Sequence, residues 1–211
     1  MSTVERLKSW LGEPLFLVPQ SPGTKIPMVK YTQETMESTK RDVYRVMLEH
    51  GNGAVRLGEF SGGFCAIDFD EDQSLKEFLK VNPLLETLAR RKRRRGAQIG
   101  VRITGTFPGP FEVRHATETT EIDGKQVRRQ LYEWRSTGNL STVKGAHPSG
   151  CEYQVLVANP PVTLEFSKIQ CPGGWPVNGE DPVMAEPHEQ LGHPETFSED
   201  NTQYFNLIKA L

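Results

Sequence analysis

Residues 64–70, FCAIDFD, are apolar except at two positions. Strand periodicity sends both exceptions, Asp68 and Asp70, to the same face. Two carboxylates side by side repel each other and are costly to desolvate. A divalent cation relieves both problems. Hard Mg²⁺ or Mn²⁺ prefers oxygen ligands and takes only a few of them from protein. The competing reading is a pair of solvated aspartates at the end of a strand.

The surrounding pattern sets the fold class. Leu7, Trp10 and Leu11 recur at helical spacing before Gly12 and Pro14 stop the segment, and LFLV (15–18) reads as a short strand. Ser38 or Thr39 caps a predicted helix through RDVYRVMLEH, which GNG (51–53) ends. AVRLGEF (54–60) and FCAIDFD are strands joined by a glycine turn. SLKEFLKVN (74–82) and LLETLARRK read as helices with Pro83 between them. QIGVRIT (98–104), VRRQLYEWR (127–135) and EYQVLVA (152–158) are strand candidates. FEVRHATETTEIDGKQ is a polar excursion with DGK as a hairpin turn, and TLEFSKI is a last short strand. Helices and strands alternate first and strands dominate later, which predicts an α/β or α+β domain with a mixed or antiparallel sheet.

Two further strands carry polar pairs at period two. LYEWR (131–135) places Glu133 and Arg135 on one face, and QIGVRI places Gln98 and Arg102 on one face. If these strands neighbour FCAIDFD, one sheet face carries three acids for metal and two arginines for phosphate, the groups that phosphoryl transfer requires. A cross-strand salt bridge is the plainer reading of Glu133 and Arg135. In VKGAHPSGCEY (143–153), Lys144 and His147 flank a glycine turn that would let a phosphate approach the backbone; the plainer reading is a hairpin loop. His50, His115, His188 and His193 show no ligand spacing. Arg90, Arg91, Lys92, Arg93, Arg94 and Arg95 form a basic run leading into QIGVRI, read as a salt-sensitive contact to nucleic acid rather than a solvated face.

Composition narrows the class. The chain has 211 residues with 25 basic and 27 acidic side chains, a formal charge of -2 that argues against a histone-like binder without excluding a local basic groove. At ~100–200 residues per domain this allows one domain plus a tail. No run approaches the ~18 apolar residues of a membrane span. Charges inside MSTVERLKSWLGEP exclude a signal peptide. The three cysteines form no CxxC pair, which points to reduced thiols in a cytoplasmic setting and to no zinc. Residues 171–203 are rich in Pro, Gly, Glu and Asp and read as a linker or surface-wrapping segment, followed by a short helix, QYFNLIKAL.

Several segments in order resemble the archaeo-eukaryotic primase superfamily, in particular the bifunctional primase/polymerase (prim-pol) N-terminal domains of phage, plasmid and mobile-element replication proteins. KIP (25–27) is similar to the family's lysine-proline loop. GNGAVRLGEFSGGFCAIDFD is similar to its strand-glycine-strand segment ending in an acidic motif. YEWRSTGN resembles the later carboxylate strand, and HPSGCEY matches an HPSGxxY loop. The likeness covers residues 10–175, including IQCPGGWP, so residues 1–175 would be the catalytic domain and 176–211 an acidic, Pro-rich tail with a short helix.

The resemblance implies an RRM-like catalytic core packed against an N-terminal α/β unit. It implies a DNA primase/polymerase that joins dNTPs or NTPs on a DNA template and primer with two divalent cations, Mg²⁺ or Mn²⁺. Asp68, Asp70 and Glu133 would be the catalytic acids and metal ligands. Gln98, Arg102, Arg135, Lys144 and His147 would bind nucleotide, and the basic run template or primer. It also implies a bacterial, archaeal or phage-infected cytoplasm. No Walker-type GxxxxGK[ST] occurs in these residues, so a helicase partner would be a separate protein or part of a longer chain. The family's second motif carries a histidine where this chain has Gln98, so phosphate binding would lean on neighbouring cations. Two alternatives stand beside this reading: a metal-dependent nuclease, and a catalytically weakened DNA-binding replication module.

Overall fold

The computed structural model describes residues 1–175 apart from 87, 92–95, 123 and 174, with backbone alone for 88–91, 116 and 122; residues 176–211 lie outside it. The first helix, α1 (Thr3–Leu11), begins where Ser2 and Glu5 form a reciprocal capping box, and Leu7 and Leu11 turn inward. Then come β1 (Leu17–Gln20), a 3-10 turn over Met36–Lys40 and α2 (Asp42–His50). Ser38 and Thr39, expected to cap α2, sit inside that turn, and α2 starts after Arg41. Next are β2 (Asn52–Arg56), β3 (Phe64–Phe69) and α3 (Asp72–Val81).

The expected helix over LLETLARRK is corrected. Pro83–Leu85 is a 3-10 turn and Leu88–Arg91 is a strand, β4. Strand pairing on both sides overrides the local helix propensity: Leu88–Arg91 pairs antiparallel with Ala97–Ile99 on one edge and with Gln154–Ala158 on the other. The remaining strands are β5 (Ala97–Thr104), β6 (Phe111–Ile122), β7 (Lys125–Arg135), β8 (Leu140–Lys144), β9 (Ala146–His147), β10 (Cys151–Glu152), β11 (Gln154–Ala158) and β12 (Thr163–Glu165). The polar excursion is therefore strand β6, hairpinned to β7 across Gly124. The expected TLEFSKI strand is shorter, with a 3-10 turn over Phe166–Lys168.

The chain is mixed α+β. A seven-stranded, mostly antiparallel sheet runs β11-β4-β5-β3-β7-β6, with β12 parallel to β5, and a three-stranded sheet runs β1-β2-β8. Strand β3 lies between two hydrophobic cores. Cys65, Ile67 and Phe69 face a core shared with Phe78 of α3, Tyr132 and Trp134. Phe64 and Ala66 face a second core with Leu7, Leu11, Leu48 and Val143. Among the described residues no helix is long and apolar enough to cross a membrane.

Candidate functional site

Strand alternation places Asp68 on the same face as Phe64 and Ala66, where the second core gives out. Across the sheet Asp68 is opposite Gln98 on β5 and Glu133 on β7. The row continues to Arg90 on β4 and to Glu112 on β6. Asp68 is only 5 % exposed, whereas Asp70, just past the end of β3, is exposed.

Arg135 stands among these acids. Its Nη2 donates to Glu133 Oε2 at 2.8 Å and lies 3.5 Å from Asp68 Oδ2. Burial weighs against its charge, but Asp68, Glu133 and Asp70 outweigh burial and hold its pKa above the ordinary arginine value.

A cleft opens beside this cluster, lined by Gln20, Lys25, Asp68, Gln98, Arg135, Leu140, Thr142 and Tyr153. Its volume is about 80 Å³, room for several waters at roughly 10–15 Å³ each. It joins segments far apart in sequence: the loop after β1, the centre of the large sheet, β8 and the turn after β10. Gln20 links two of them, donating to the Lys25 carbonyl at 2.9 Å and accepting from Thr142 Oγ1 at 2.9 Å. Ser141 of β8 donates to Gln98 Oε1.

Asn52 ties the rim together. Its Nδ2 donates to the Thr24 and Ala146 carbonyls at 2.8 and 2.7 Å, and its Oδ1 accepts from Gly23 and Ala146 amides at 3.4 and 3.0 Å. The loop carrying Lys25 is thereby fixed to the hairpin carrying His147. Gly145 must be glycine for this contact: its φ is +103°, and a Cβ there would lie 1.9 Å from Asn52 Oδ1. His147 Nδ1 is 2.8 Å from Ser149 Oγ, and its ring meets Tyr153 edge-on with centroids 5.8 Å apart. His147 thus reaches the cleft through Tyr153.

Two expected nucleotide-binding cations are engaged elsewhere. Lys144 donates to the Leu48, Glu49 and Gly51 carbonyls at 2.8, 2.7 and 2.9 Å, capping the negative end of α2; burial pushes its pKa below the usual lysine value. Arg102 donates to the Ser61, Gly62 and Leu11 carbonyls at 2.6, 2.9 and 3.3 Å, tying β5 to the β2–β3 turn and α1. Of the basic run, Arg90 and Arg91 lie in β4, and Lys92, Arg93, Arg94 and Arg95 fall outside the described residues. The tail helix falls outside them too.

Sequence reasoning passed over Gln20, Asn52 and Thr142 as site residues. Lys25 and Tyr153 stood inside quoted motifs, which was signal enough to find them.

Asp68 and Glu133 face each other across adjacent strands, and Asp70 is two residues on, a donor set whose oxygens suit a hard divalent cation. Among the described residues no three His, Cys, Asp or Glu side chains stand together as a preformed metal cage. No known family model matches the chain, and no curated protein does.

Proposed function

We propose that this chain is a DNA primase/polymerase-type nucleotidyltransferase, in which a primer 3′-hydroxyl or an initiating nucleotide attacks the α-phosphate of an incoming nucleotide. The observation that carries the reading is the convergence on one cleft of Lys25, Asp68, Gln98, Arg135 and Tyr153, which come from separate motifs of the resemblance. In this reading the sheet around β3 is an RRM-like core, and the β1-β2-β8 sheet with α1 and α2 is the N-terminal unit, completed by a later strand. Asp68, Asp70 and Glu133 would hold Mg²⁺ or Mn²⁺, which would neutralise phosphate charge and activate the attacking oxygen. Lys25 and Arg135 would offer cations to the triphosphate, and Gln98 offers a neutral amide where the family carries histidine. Residues 90–95 would contact template or primer backbone.

One observation favours a weakened DNA-binding module as the second reading: Arg135 pairs with two of the acids that catalysis needs. A primer-extension assay with dNTPs or NTPs and Mg²⁺ or Mn²⁺ separates the two. The wild-type chain is expected to extend a primed template, and Asp68→Ala with Asp70→Ala to reduce extension to background. Retained extension in that double variant would remove the acids from the chemistry. Tight DNA binding without incorporation would establish the second reading.

A further inference from the structure

The acidic cluster already contains a cation. Arg135 Nη2 lies 2.8 Å from Glu133 Oε2 and 3.5 Å from Asp68 Oδ2, and Asp70 adds to the field at the guanidinium. The register accounts for this. Glu133 and Arg135 are two residues apart on β7 and share a face, and the residue opposite Arg135 on β3 is Ala66. A methyl group there leaves the long side chain room to lean along the sheet toward Asp68. Arg135 Nε is buried without a hydrogen-bond partner among the described residues.

A divalent cation drawn to Asp68 and Glu133 would meet this guanidinium at close range. Like charges a few ångströms apart at a partly buried site repel strongly, so both cannot hold the same carboxylate oxygens. We propose that Arg135 is an internal competitor for the divalent cations, neutralising Asp68 and Glu133 in the free chain and leaving them before a cation binds. This rests on the nucleotidyl-transfer reading, which assigns the cations to those acids. The Nε gives the withdrawn guanidinium a further donor for an anionic ligand.

The test is a Mn²⁺ titration of the full chain without nucleotide or DNA, following the electron paramagnetic resonance signal of free Mn²⁺. Wild type is expected to bind weakly. Arg135→Gln is expected to bind roughly tenfold to a hundredfold more tightly, and adding Asp68→Asn to that variant is expected to remove the gain. Circular dichroism and a thermal melt establish that the variants fold. Arg135→Lys keeps the charge on one compact ammonium and is expected to give an intermediate value, which serves if the glutamine variant does not fold. Equal Mn²⁺ affinity in wild type and the Arg135 variants, with primer extension intact in wild type, overturns this inference and leaves the proposed function standing. If none of the proteins binds Mn²⁺ and none extends a primer, both fall.

Discussion

Substituting Asn52 by alanine removes four hydrogen bonds at once. The Thr24 and Ala146 carbonyls and the Gly23 and Ala146 amides must then find water in a crowded rim. With ~1–3 kcal/mol for each buried group left unpaired, and water recovering part of it, the expected loss is about 3 kcal/mol. It would be read as a lower urea midpoint at unchanged m-value; a wild-type midpoint would remove Asn52 from its bridging role. Nothing local in GNG announces this role, because the partners lie 28 and 94 residues away. Asp68 was legible because its meaning is local: a carboxylate at fixed strand parity among apolar neighbours. Lys144 and Arg102 mark the limit of reading by charge. A lysine that caps a helix and a lysine that binds phosphate look alike until the carbonyls around them are known.

Elements were legible where one face is apolar at a regular period. Helices α1, α2 and α3 and the strands β3, β5 and β7 fall close to their expected positions. Strand β6 was missed because between Val113 and Ile122 only Ala116 interrupts a polar run on both faces; its pairing with β7 defines it, and pairing has no sequence period. Strand β4 was misread because leucines and arginines have high helix propensity, which tertiary pairing overrode. Strand β5 is entered through Gly96, whose φ is +70° and whose added Cβ would lie 1.9 Å from the Phe69 carbonyl oxygen. The Gly96 amide also donates to Asp72 Oδ1 at 2.8 Å. Gly96→Ala is therefore expected to cost about 2 kcal/mol or more, from left-handed backbone strain plus displacement of the end of β3. Because Asp70 follows directly on that end, primer extension is expected to fall further than the melting temperature alone explains. A variant with wild-type melting and activity would show that the backbone at residue 96 relaxes freely.

At the scale of the molecule, the placement of β3 between two cores explains why Asp68 is held so firmly. One face packs on α3 and the aromatic residues of β6 and β7, and the other on α1, α2 and β8. The aromatic core is closed by the last described residue, Trp175, only 7 % exposed. Its ring lies near-parallel to Tyr132 and Phe78, with centroids 5.9 and 6.4 Å away. The expected boundary near residue 175 therefore has a physical test. A chain ended after residue 175 keeps both cores and is expected to melt within ~2 °C of the full chain. A chain ended after Gln170 loses the tryptophan from the core. Exposing the partners of a large buried ring costs about 3 kcal/mol, which in a domain of this size lowers the melting temperature by roughly 6–12 °C. Trp175→Ala in the full chain is expected to lower it by a similar amount. If the 175-residue chain melts far below the full chain while Trp175→Ala does not, the folded unit extends into residues 176–211 and the boundary is misplaced.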